Sequence, residues 1–272
     1  MPELPEVETT RRGLAPHLAD ARVTAVTVRE RRLRWPVTDG IEAAVTGRRI
    51  ESVSRRGKYL LLTLDDTSHL LWHLGMSGSL RVVPPETPVQ RHDHVDVTLD
   101  DSRVLRFNDP RRFGSLHHVL GAPEAHPLLA RLGPEPLGPD FHGDRLHARA
   151  RGRRAPVKAF IMDSATVVGV GNIYATEALY LAGIHPARAA GRISRNRYRR
   201  LATAIATVLG EAITAGGTTL RDFTDADGRP GYFRQRLRAY GHGGAPCGRC
   251  GHPLREITVA QRTTTYCPTC QR

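Results

Sequence analysis

Lysine is almost missing from this 272-residue chain: of 40 basic residues, only Lys58 and Lys158 are lysines. The rest are arginines, and Ala, Gly and Pro are abundant beside them, as a GC-rich coding sequence would produce. A lysine that persists under such pressure is either a chance remnant or a residue whose compact, titratable ammonium is needed. Long apolar runs are missing too. No stretch approaches the roughly 18 apolar residues that a bilayer span requires, and the acidic start has no apolar signal core. We therefore expect a cytoplasmic protein without membrane contact. Only four cysteines are present, and a reducing compartment disfavours pairing them as disulfides. Internal repeats are absent. Apart from the cysteines, no cluster of carboxylates and histidines suggests metal-activated water, which speaks against a metal-dependent nuclease.

What is present is positive charge, unevenly placed. The formal net charge is +13. Residues 1–135 hold 19 Lys and Arg against 18 Asp and Glu, whereas residues 136–272 hold 21 against 9. A strongly basic half points to a polyanionic partner, although a solvated basic face would read the same way. The periodicity predicts a helix over 5–18, with Pro5 in its first turn and Leu4, Val7, Leu14 and Leu18 on one stripe. Strands are expected at 22–29, 50–55, 58–64, 68–74, 79–83, 94–99 and 103–107, the pattern of a sandwich or barrel. A Pro/Gly-rich segment from Leu132 to Asp140 reads as a boundary, and a basic stretch from Arg149 to Lys158 follows. The remainder reads as largely helical, with one helix over 194–215 stopping at Gly216-Gly217. A loop over 217–232 and a small cysteine module complete the chain.

Four constellations could carry chemistry. Cys247, Cys250, Cys267 and Cys270 form C-x2-C-x16-C-x2-C, the spacing of a tetrahedral zinc site, with two disulfides as the other reading. With no open position evident, one structural zinc is expected. Arg255 and Arg262 lie between the pairs, where a zinc-pinned hairpin could hold an arginine out to a phosphate. The start, Met1-Pro2-Glu3-Leu4-Pro5-Glu6, would expose the secondary amine of Pro2 once the methionine is removed. An α-amine titrates near pH 8, so it is a better nucleophile at neutral pH than lysine. The adjacent Glu3 could shuttle protons. Taken alone, the segment reads equally as a helix start with Pro and acids placed for the dipole. Val168-Gly169-Val170-Gly171-Asn172 is a Gly-rich turn before a helix. It suits close approach to a phosphate, or simply an Asn172 cap. Lastly, His73–Gly78 and Asn108–Gly114 are short loops whose Met76 and Phe113 could wedge into a base stack beside Arg111, or sit in a core.

Together these segments resemble the formamidopyrimidine-DNA glycosylase family (MutM), within the wider Fpg/Nei superfamily. The matching stretches are MPELPEVETTRRGL, RRGKYLLL, HLGMSGSLR, DPRRFG, LGPEPL, VVGVGNIYATEAL, AGIHP, GGTTLRDF, GRPGYF and the four-cysteine finger, in order along the whole chain. The resemblance implies an α+β fold. An N-terminal catalytic β-sandwich flanked by helices would occupy 1–135. A helical helix–two-turn–helix domain would occupy 136–240, and a β-hairpin zinc finger 241–272. It implies excision of oxidised purines from damaged double-stranded DNA by a monomer that needs no nucleotide cofactor, followed by strand cleavage. Pro2 would be the Schiff-base nucleophile at C1′, and Glu3 the proton donor. Lys58 would serve proton transfer and phosphate binding. Arg262 would serve δ-elimination and phosphate contact. Asn172 would hold the same backbone. Met76, Arg111 and Phe113 would fill the void left by the flipped base. His92 and Arg153 would contact DNA, and Glu6 would lie near the flipped nucleotide. Lys158 is assigned weakly to DNA contact, and the 217–232 loop would close over oxidised guanine. The chain departs from the family at Ser164, where an amide is common, and at Arg149–Arg154, where relatives use lysine. The Nei branch, acting on oxidised pyrimidines, and a non-catalytic zinc-finger DNA-binding protein are the other readings.

Overall fold

The computed structural model describes residues 2–217 and 237–272. The expected 217–232 loop therefore lies outside the described residues except for Gly217. The described residues form two compact units, 2–130 with 215–217 and 131–214 with 237–272.

The first unit opens with α1 (Leu4–Leu18), whose Leu14 and Leu18 are fully buried. Two antiparallel four-stranded sheets follow. One has the order β1 (Val23–Val28), β6 (Asp93–Leu99), β7 (Val104–Asn108), β5 (Ser79–Val83). The other has the order β2 (Ile50–Arg56), β3 (Tyr59–Leu64), β4 (His69–His73), β8 (Ser115–Val119). The period of two explains the layering. Leu60, Leu62 and Leu64 of β3 enter the same core as Val95 and Val97 of β6 and Leu105 and Phe107 of β7. Trp72 of β4 meets Phe107 of β7 with ring centroids 5.2 Å apart, joining the two sheets. The short α2 (Ile41–Val45) adds Ile41 and Val45 to that core.

The second unit is helical. It contains α3 (Gly143–Ala150), α4 (Val157–Met162), α5 (Asn172–Ala182) and α6 (Arg195–Thr214). The stripe of Tyr198, Leu201, Ile205, Val208, Leu209 and Ala212 is buried as its spacing predicts. Gly216 and Gly217, at φ +77° and +81°, end that pattern in backbone that only glycine adopts cheaply. A two-stranded hairpin, β9 (Arg255–Val259) and β10 (Arg262–Tyr266), completes the cysteine module. Among the described residues, no helix is long and apolar enough to cross a membrane.

Three local expectations need correcting. β8 lies outside the expected strands, because His117 and His118 interrupt its apolar alternation. Lys58 is not a strand residue: Gly57 and Lys58 form the two-residue turn between β2 and β3, closed by the pair Arg56–Tyr59. Gly171, not Asn172, occupies the cap of α5, and Asn172 is the first helical residue.

Glu177, fully buried on α5, latches the return of the chain. Its carboxylate accepts the backbone N–H groups of Arg238, Ala239 and Tyr240, each at 2.8 Å. Glu177→Ala strands all three donors and is expected to destabilise the second unit by about 3 kcal/mol or more. Hydrogen exchange at Ala239 and Tyr240 should accelerate accordingly.

Candidate active site and zinc centre

In the first unit the site grows from the start of α1. Helix N-termini leave four N–H groups without intrahelical partners. Here Glu3 and Glu6 form a reciprocal capping box, in which the Glu3 N–H donates to Glu6 Oε2 at 2.8 Å. Both residues are buried, as is Pro2. The chain therefore enters the helix in one fixed conformation, and the position of Pro2 follows from it. Gly217 lies against Glu6: a Cβ there would stand 3.4 Å from Glu6 Oε1.

A short relay leads from α1 to Lys58. Glu8 of α1 pairs with Arg55 of β2 at 3.2 Å, and Arg55 donates to the carbonyl of Gly57 at 2.9 Å. Lys58 follows directly and is half-buried. Next in the chain, Tyr59 packs on His73, with ring centroids 4.8 Å apart. Burial, with the nearby Lys58 and Arg34 charges adding, pushes the His73 imidazole down to about 4. It is neutral at neutral pH, and its Nδ1 accepts the Gly75 N–H at 2.9 Å. That bond sets the turn that presents Met76.

Met76 and Phe113 are both exposed, at 37% each, so neither belongs to the core. Arg111 lies over the Phe113 ring, 4.9 Å from its centroid. The two loops are locked together. Gly75 approaches the second loop so closely that a Cβ would fall 2.4 Å from Gly114 N. Asp109, fully buried, accepts from Ser77 Oγ at 2.9 Å, from Gly114 N at 2.7 Å and from Arg111 N at 3.3 Å. Sequence reasoning missed Asp109. Its only signal was an Asp before Pro in a turn, the residue type that bonds nearby backbone. Half-buried His92 accepts the Asp109 N–H through its backbone carbonyl at 3.0 Å, which sets it beside the same loop.

In the second unit, Lys158, assigned weakly to DNA contact from the sequence, is buried among protein acceptors. Its side chain is 1% exposed, and its ammonium donates to Asn172 Oδ1 at 2.7 Å, Thr176 Oγ1 at 2.9 Å and Thr264 Oγ1 at 2.7 Å. Lys158 is a brace that fastens α4 to the start of α5 and to the hairpin. Thr264 in turn donates to the Arg262 carbonyl at 3.0 Å. Ala260 and Gln261, at φ +48° and +62°, form the tight turn from which Arg262 emerges. Asn172 and Arg262 are thereby held by one buried cation. Arg153 is exposed on the loop after α3.

The four cysteines converge as their spacing predicts, with all Sγ atoms within 4.8 Å of one another. Cys247 and Cys270 are 4.0 Å apart, and Cys250 and Cys267 are 3.6 Å apart. A disulfide needs about 2.05 Å. Tetrahedral zinc with Zn–S bonds of about 2.3 Å sets sulfurs roughly 3.8 Å apart. The site fits one structural zinc, held by Cys247, Cys250, Cys267 and Cys270. Tyr180 and Arg249 N bond Cys247 Sγ at 3.2 and 3.4 Å and orient it.

Known proteins match this arrangement along its whole length. The formamidopyrimidine-DNA glycosylase N-terminal domain matches residues 1–116, the H2TH domain of that enzyme 132–224, and the zinc finger found in FPG and IleRS 244–272. A curated formamidopyrimidine-DNA glycosylase from Alkalilimnicola ehrlichii is 63% identical, and one from Syntrophotalea carbinolica 60%, each with 100% of both chains covered. The crystal structure of the MutM (FPG) protein from Thermus thermophilus superposes with a TM-score of 0.89 at 41% identity, covering 99% of this chain and 98% of that one. Lactococcus lactis Fpg in complex with abasic-site-containing DNA superposes at 0.92 with 31% identity, covering 99% of each chain. The chain belongs to the formamidopyrimidine-DNA glycosylase family.

Two outcomes follow from this geometry. The folded His73 value lies below the ordinary 6.5, so unfolding takes up a proton between about pH 4 and 6.5. Its stabilising share is complete above 6.5 and is lost as pH falls towards 4, and His73→Gln should flatten that slope in melting curves. Cys247→Ser should lower zinc from one ion per chain and loosen the cluster of Tyr180, Ala239 and Leu254, read by metal release and thermal melting.

Proposed function

We propose that the chain is a bifunctional DNA glycosylase and abasic-site lyase that extrudes oxidised purines from duplex DNA, excises them and cleaves the strand. The observation that carries this reading is the capping box at the start of α1. It fixes buried Pro2 beside buried Glu3 at the head of a helix. Glu3 protonates the sugar-ring oxygen as the Pro2 nitrogen attacks C1′, and the damaged base leaves. The resulting iminium draws electrons from C2′, so loss of a C2′ proton expels the 3′ phosphate. A second elimination expels the 5′ phosphate. Lys58 serves proton transfer and phosphate binding, and Arg262 assists the second elimination. Asn172 holds the backbone. Met76, Arg111 and Phe113 occupy the gap left by the extruded nucleotide, whose unstacking costs a few kcal/mol.

Residues 1–135 would carry the chemistry, while 136–240 and the finger at 241–272 grip the phosphates. The basic excess of the C-terminal half suits that division. His92 and Arg153 would add DNA contacts, and Glu6 would border the flipped nucleotide. The relatives that carry the glycosylase name, and the neighbour solved on abasic-site DNA, support the reading.

Borohydride trapping on a duplex with one 8-oxoguanine tests it. The wild type should form a covalent adduct, which Pro2→Gly abolishes. Glu3→Gln should slow base excision by about 10²- to 10⁴-fold. Tight binding with no adduct would identify a non-catalytic DNA-binding protein instead.

A further inference from the structure

One exposed aromatic takes no part in the scheme above. Trp35 is 49% exposed, although the chain buries its other tryptophan, Trp72, completely. An exposed Trp on a floppy loop would mean little. This loop is held at both ends. Leu33 and Val37 are buried in the first unit's core, and Leu33 N and Val37 N both donate to the Arg31 carbonyl, at 2.9 and 3.0 Å. The segment between them, Arg34–Trp35–Pro36, is forced outward with its backbone fixed.

The loop abuts the two described above. Arg34 N donates to the Gly114 carbonyl at 3.2 Å, and Arg112 pairs with Glu30 at 3.2 Å. Trp35 and Phe113 thus flank a direct backbone contact, and Phe113 is locked to the Met76 loop. Three of the six large exposed hydrophobic residues among the described ones therefore stand on three adjoining loops. Charge follows the same line. Arg31 is engaged by Glu42, and Arg32 by Glu30. Among the described residues, Arg34 meets no carboxylate. It lies instead on the Tyr59 and His73 side, where Lys58 also acts. An indole on a held backbone, beside a guanidinium that meets no carboxylate among the described residues, is the pairing that binds nucleic acid, with stacking on a base and attraction to phosphate.

We propose that Trp35 is a further DNA contact, a stacking platform for a base unstacked at the Met76 and Phe113 tips, with Arg34 on the adjoining phosphate. The inference rests on the DNA-repair reading. Because the backbone on either side of the indole is already held, little backbone entropy is lost when the base docks.

The two-tryptophan composition supplies the test. Acrylamide reaches Trp35 and not Trp72, so quenching reports Trp35 alone; Trp35→Phe, which lacks that signal, confirms the assignment. A duplex bearing a tetrahydrofuran abasic analogue should shield Trp35 from acrylamide at the concentrations where anisotropy shows binding. Trp35→Ala should weaken that binding by roughly 5- to 100-fold, with Trp35→Phe in between and melting temperatures unchanged. Binding and incision with Trp35 still fully quenchable, or an affinity of Trp35→Ala within twofold of wild type, overturns the inference and leaves the repair reading intact. Failure of the wild type to bind the duplex at all overturns both.

Discussion

The bond from the Glu3 N–H to the Glu6 carboxylate governs this molecule. In the proposed function Pro2 attacks through its backbone nitrogen, which no side chain steers and which is aimed only by fixing the residues that follow. A helix starting at Leu4 does this, provided its first turn does not fray. The capping box prevents fraying by satisfying donors that would otherwise face a buried, water-poor site. Two buried carboxylates in one turn would be costly elsewhere, yet at a helix N-terminus the dipole favours them. The Glu8–Arg55–Gly57 relay then carries the same rigidity to the Lys58 turn.

The second unit solves a related problem with a different device. Asn172 stands at the head of the buried helix α5 and Arg262 at the tip of a hairpin whose strands are largely exposed. Lys158 holds both by bonding Asn172 and Thr264 from within. The cysteine cluster holds the opposite end of the hairpin. The hairpin is thus tied down at both ends, and Arg262 emerges from a turn that the scaffold holds.

Features with a strong local period or spacing were legible in the sequence. The four cysteines, the α6 stripe and most strands declare themselves because burial imposes a repeat of fixed length. What escaped depends on contacts far apart in sequence. β8 was hidden by two histidines whose neighbours, Leu116 and Val119, pack only once the sheet has formed. Lys158 looked like part of a basic surface because its three acceptors lie 14, 18 and 106 residues away. Asp109 resembled an ordinary turn residue, and nothing in the local sequence singled out Trp35. The first gains its meaning from Ser77, and the second from being stranded between two core neighbours.

The burial of Lys158 also explains why it is still a lysine. Three oxygens converge on its nitrogen at 2.7–2.9 Å inside packed protein. A tetrahedral ammonium can satisfy such a cluster from one point, whereas a flat guanidinium is too broad and spreads its donors in a plane. An arginine at position 158 would therefore leave part of this cluster without its donor, so the site discriminates between the two cations by shape and not by charge.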